Sequence, residues 1–196
     1  MATSVPNKTI SQFKAAMNGG GARPNLFEVE IANFPGGITW NAGEFKFLCK
    51  AAALPAQNVA SIDVPFRGRI FKVAGDRTID TWTVTVINDE SFDLRTSFEE
   101  WSNLIARVDN NLGATDPSAY MVNATVYQLG RGSTPNSTTN AGTSNAVLKS
   151  YDFIDIFPTN VSQIDLSYDS GDTIEEFTVE FQVQSFAARG AGGPNG

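Results

Sequence analysis

The stretch "VAGDRTIDTWTVTVINDE", Val73 to Glu90, decides how this chain is read. Trp82, Val84 and Val86 share one face of an extended strand; Ile79, Thr81, Thr83, Thr85 and Ile87 share the other. Threonine is a good strand former that tolerates a wet face. The charged ends, Asp76-Arg77 and Asp89-Glu90, raise the question of a catalytic pair. Paired carboxylates act as acid and base when burial raises the pKa of one of them. Here Gly75-Asp76-Arg77-Thr78 reads as a turn entering the strand, and Asn88 or Asp89 as the N-cap of a following helix. About ten residues of strand lie between the ends, roughly 30 Å at the usual rise, so the ends do not meet in one site.

After Glu90 the period changes. Leu94, Phe98, Trp101, Ile105 and Val108 fall at helical steps and form one apolar stripe, predicting a helix over about 91–108. Upstream the period is two. In "NLFEVEI" Phe27, Val29 and Ile31 oppose Glu28 and Glu30, and in "GEFKFLCK" Phe45, Phe47 and Cys49 oppose Lys46, Leu48 and Lys50. "IFKV", "AYMVNATVYQL", "VLKSYDFIDIF", "VSQIDLSY" and "IEEFTVEFQVQSF" add further strands. The segment "AAALPAQNVASIDVPFRGR" reads as turn-rich, because Pro55 and Pro65 do not suit a central strand. The set predicts a mainly β, sandwich or barrel-like domain with one flanking helix.

Residues 1–24 are expected to form a flexible arm, with at most a short helix around Ile10, Phe13 and Met17. A single domain over 25–186 follows, with an exposed polar loop at 130–146, and a flexible tail at 187–196. Several strands would leave open edges, which an assembling protein pairs with a neighbour.

Composition narrows the chemistry. There is no histidine, which removes the usual general base near neutral pH and the commonest transition-metal ligand. The one cysteine, Cys49, reads as a buried structural thiol. No cofactor-binding or metal-binding motif is present, and Gly19-Gly20-Gly21 reads as a hinge, not a phosphate loop. The net charge of −7 opposes tight nucleic-acid binding while permitting contact without adhesion. No apolar run is long enough to span a bilayer, and the N-terminus lacks the order of a signal peptide, so a cytoplasmic origin without stable membrane association is expected.

The strings "ARPNLFEVEI" (22–31), "FKFLCKAAALPA" (45–56), "VAGDRTIDTWTVTVINDE" (73–90) and "FPTNVSQIDLSYDS" (157–170) occur in this order. Together they resemble the tail tube protein family of contractile-tailed bacteriophages, the myovirus type, over about residues 22–186. "FPGGITWNAG" (34–43), the loop at 130–146 and the tail after Phe186 look like additions to the shorter family pattern. The resemblance implies a structural virion protein, not an enzyme. Its subunits form hexameric rings that stack into a tube inside a contractile sheath and conduct the genome to the host. Implied partners are further copies of the chain, the sheath protein, baseplate and tail terminator proteins, a tape measure protein in the lumen, and DNA in transit. On this reading Glu28, Glu30, Glu176, Glu180 and Gln182 are candidates to line the lumen. The turn-rich segment Ala51–Arg69 looks like a projecting hairpin that reaches the next ring, and Arg23, Arg67, Arg69, Asp76 and Arg77 are candidates for the contact between stacked rings. Alternatives are a tube protein of a non-viral contractile injection or type VI secretion-like system, a cell-wall hydrolase, or a glycan-binding domain.

Overall fold

A computed structural model describes residues 8–17, 20–132 and 145–190. The chain divides into two compact units: Met1–Glu28, Val126–Tyr151 and Ala188–Gly196 make the first, Val29–Thr125 and Asp152–Ala187 the second. The mainly β class holds. The strands are β1 (Phe27–Ile31), β2 (Cys49–Ala53), β3 (Gln57–Phe66), β4 (Arg69–Ile79), β5 (Trp82–Ile87), β6 (Val122–Leu129), β7 (Val147–Val161) and β8 (Glu176–Gly190). Among the described residues three α-helices accompany them: α1 (Ile10–Ala16), α2 (Ala42–Leu48) and α3 (Asp93–Ile105). Six strands form one sheet in the order β1-β6-β7-β8-β5-β2, and β3-β4 stand as a separate two-stranded sheet.

The alternation in β5 is borne out. Trp82, Val84 and Val86 are fully buried, and antiparallel pairing sets them opposite Phe181, Val179 and Phe177 of β8. The intervening pairs, Thr83 with Glu180 and Thr85 with Thr178, stand on the other face and stay half-exposed. A one-residue slip would exchange the two faces, so this pattern fixes the register.

The second unit closes its core with an aromatic cluster. Leu94, Phe98 and Trp101 of α3 are buried, and Phe34 stacks on Trp40 at 3.9 Å and meets Trp101 edge-on at 4.6 Å. The indole N–H groups donate to backbone carbonyls: Trp40 to Ile31 at 2.7 Å and Trp101 to Tyr120 at 2.7 Å. These two indoles thus enter the cluster with their donors satisfied, whereas the buried Trp82 N–H has no hydrogen-bond partner among the described residues. Phe34 and Trp40, both half-buried, belong to the stretch that looked like an addition, so that stretch packs against the core and is not only outer loop.

Several expectations are corrected. "GEFKFLCK" is not one strand, because Asn41 starts a helix there: its Oδ1 accepts from the Glu44 N–H at 3.1 Å, and its Nδ2 donates to the Glu44 carboxylate at 2.9 Å. On a helix Phe45 and Phe47 diverge, and Phe45 is buried while Phe47 is 88% exposed. "VAGDRTIDTWTVTVI" is two strands in two sheets, broken at Asp80-Thr81. Gly75-Asp76 is a β-bulge and not a turn, since Val59 pairs with Arg77 but Ser61 pairs with Ala74. Two residues there oppose Ala60 alone, and a side chain on Gly75 would lie 3.2 Å from the Ala60 carbonyl.

The helix after β5 is shorter than 91–108. Asn88 still bonds to the sheet, its N–H donating to Glu175 O at 2.9 Å, so the N-cap moves to Phe92 in the left-handed region at φ 59. Val108 lies past the helix end and is 93% exposed. "VSQIDLSY" is a strand only to Val161, with Leu166 and Tyr168 exposed beyond it. β8 runs on to Gly190, so part of the expected tail is strand. Most of the 130–146 loop, residues 1–7 and residues 191–196 lie outside the described residues.

Candidate assembly interface

The turn-rich segment is a hairpin. Residues 57–66 and 69–79 pair along their length, and the loop between them is Arg67-Gly68, at φ 45 and φ 80. Two positive φ values in a two-residue loop match the right-handed twist of the flanking strands. Pro65 is tolerated because a two-stranded ribbon leaves half its N–H groups facing outward.

The register sorts the hairpin into two faces. Val64 pairs with Phe71 and Ile62 with Val73, and Phe66 lies on the same side. These five large apolar side chains are all exposed, from 42% at Val73 to 66% at Phe66 and Phe71. The other face is more polar and carries the Asp63–Lys72 ion pair at 2.7 Å. A two-stranded ribbon with one bare apolar face is marginal in water. Contiguous exposed apolar surface of this kind marks an interaction site.

Four of the five candidate stacking residues fall on this hairpin. Arg67 is at the tip with its guanidinium 5.5 Å from the Phe66 ring centre, Arg69 opens β4 opposite Phe66, Asp76 is in the bulge and Arg77 pairs with Val59. Arg23 belongs to the other unit, where its carbonyl accepts from Gln128 Nε2 at 2.7 Å. Sequence reading missed the apolar face itself. Its signal was the period-two run Ile62, Val64, Phe66, followed by Phe71 and Val73.

The sheet offers a second surface. Glu180 and Gln182 stand on the polar side of β8 beside Thr83 and Thr85. Glu176, on the same side, pairs with Lys50 of β2. Glu28 and Glu30 flank the buried Val29 on β1, and Glu30 pairs with Lys46 at 3.1 Å. Two of the proposed lumen acids are therefore partly neutralised by lysines from α2 and β2. β1 and β2 are the two edges of the sheet and lie at its opposite ends.

The perturbed titratable groups lie near α2. Burial pushes the Cys49 thiol up to about 12. Native protein at pH 8 should therefore resist an aromatic disulfide reagent, with labelling at least about tenfold slower than after unfolding, since thiolate is the reacting species. Fast labelling of the native chain would contradict the burial. Glu44 is raised by desolvation and then by the neighbouring Asp89 carboxylate, while Asp89 is lowered chiefly by the Ser91 hydroxyl. Among the described residues no group of three or more carboxylate or cysteine ligands is arranged to hold a metal.

Comparison with known proteins gives this surface a context. The family model described as phage tail tube protein matches residues 22–189. The tail tube protein gp19 of Enterobacteria phage T4 is 39% identical over 166 residues, covering 85% of this chain and 91% of that protein. Among solved structures, a chain of the anti-feeding prophage baseplate superposes with a TM-score of 0.62 at 12% identity, covering 88% of this chain and 97% of that one. A chain of the sheath-tube complex of an extracellular contractile injection system superposes at 0.56 and 14% identity, covering 94% and 99%. These two likenesses concern the fold. The sequence matches go further: the chain belongs to the phage tail tube protein family and is a structural component of a contractile-tailed phage virion.

Proposed function

We propose that copies of this chain join edge to edge through β1 and β2 into hexameric rings, and that the rings stack into a hollow tube through the β3–β4 hairpin. The observation that carries this reading is the bare apolar face of Ile62, Val64, Phe66, Phe71 and Val73. A chain that stayed monomeric would leave that face in water. Head-to-tail contacts of one kind close into rings, and a second kind propagates them into a filament. Pairing edges around a ring also removes the open strands that otherwise invite aggregation.

The polar side of the sheet, with Glu28, Glu30, Glu176, Glu180 and Gln182, lines the channel. An acidic wall repels phosphate, so DNA passes without adhering. Arg67, Arg69, Asp76, Arg77 and, from the arm, Arg23 supply charge at the contact between rings. The outer surface meets a sheath, and the tube ends on baseplate and terminator proteins with a tape measure protein inside. The sheath–tube and baseplate assemblies that contain chains of this fold support that arrangement. The work done is mechanical and conductive, without turnover.

Negative-stain electron microscopy of the purified protein at high concentration tests the reading. Stacked rings or tubes are expected; monodisperse monomers would count against it.

A further inference from the structure

The helix α1 is amphipathic and buries nothing. Thr9 and Gln12 form a reciprocal cap at its start, and Ile10, Phe13 and Met17 make an apolar stripe that is 76%, 64% and 43% exposed. At helical spacing the stripe is about 10 Å long. The segment is also basic. Lys8, Lys14 and Arg23 precede the first acid, Glu28, so the rest of the chain holds 11 basic and 21 acidic residues, net −10.

The outer side of α3 carries a trough in the second unit. Two hollows, of about 480 Å³ and about 560 Å³, share Gly36 and Leu104. Ile38 and Leu112 line the first and Phe34 and Met121 the second. Glu100 stands at one hollow and Asp155 at the other, both exposed; the Asp155 N–H donates to Asn123 Oδ1 at 3.1 Å, while neither carboxylate has a hydrogen-bond or ion-pair partner among the described residues. Arg107 also lines the first hollow.

We propose that α1 of one copy lies in the α3 trough of a neighbouring copy, with Ile10, Phe13 and Met17 in the hollows and Lys14 beside Glu100. The inference rests on the self-assembly reading above and names a contact that the hairpin does not make. Three observations favour a second copy as occupant. The stripe is unburied in its own chain, its charge is opposite to that of the two free carboxylates, and each copy carries one arm and one trough. Such a contact is head-to-tail, so it fills every trough when the ring closes. Gly20 and Gly21, at φ 77 and φ 79, redirect the chain after the helix through conformations that favour glycine.

Disulfide trapping tests it. In the Lys14→Cys, Glu100→Cys double variant both new thiols are exposed, while Cys49 is buried and unreactive. Mild oxidation of assembled particles should give an interchain ladder on a non-reducing gel that neither single variant gives. Adding Phe13→Asp, a change at an exposed position, should abolish the ladder. Tubes that yield only monomer bands, or a disulfide within one chain, would overturn the docking and leave the tube reading standing. Absence of any oligomer in the unmodified protein would overturn both.

Discussion

The double variant Phe66→Asp, Phe71→Asp should fail to form tubes while its protomer folds as before. Both side chains lie on the apolar face of the hairpin and are 66% exposed in the single chain, so folding gains little from them. Burying one phenylalanine contributes about 1.5–3 kcal/mol, so losing two removes about 3–6 kcal/mol from each contact they make. At 1.4 kcal/mol per decade that raises the protein concentration needed for assembly by roughly 10²- to 10⁴-fold. Buried carboxylates would add to the loss. Sedimentation velocity gives the assembly threshold and thermal melting gives the protomer's stability. A threshold within about threefold of the parent's, at equal protomer stability, would mean that the hairpin face is not the contact.

The opposite result is expected at Phe98. Its ring is fully buried and meets Phe34, Trp40, Phe45, Trp101, Phe177 and Phe181 at centroid distances from 5.5 to 6.5 Å. Truncation to alanine leaves a cavity and should cost about 3–5 kcal/mol. For a chain of this size that lowers the melting temperature by roughly 6–20 °C. Phe47→Ala, at an 88% exposed position, is the control and should move it by no more than about 2 °C. Equal shifts from the two variants would contradict the core as described.

The contrast between these residues also shows what was legible in advance. β5 and β8 could be read because their alternation is long and one face meets a core: Trp82, Val84 and Val86 against Phe177, Val179 and Phe181. α3 was equally plain in its middle, where Leu94, Phe98 and Trp101 recur at helical spacing. Its ends were not, because Phe92 caps by a left-handed backbone turn that leaves no side-chain signature.

"GEFKFLCK" misled because Phe45, Phe47 and Cys49 alternate as strand residues do. The deciding interaction is the reciprocal bond of Glu44 with Asn41, which lies two residues before the window. A hairpin was expected over Ala51–Arg69, but its true bounds, 57–79, were obscured by Pro65 and by the bulge at Gly75-Asp76, which breaks the alternation of β4. Its apolar residues pattern like a core yet have no core to enter within one chain. Periodicity reports that a face is to be buried and is silent on which molecule buries it. For that reason the exposed apolar face beside Asp76 and Arg77 went unseen.

Helical reconstruction of assembled particles by electron cryo-microscopy tests the central claim most directly. The account predicts hexameric rings in which Thr83, Thr85, Glu180 and Gln182 face an open channel and the apolar face of Ile62, Val64, Phe66, Phe71 and Val73 is buried against a neighbouring ring. A reconstruction with that polar face on the outer wall, or with the hairpin face still in solvent, would contradict it.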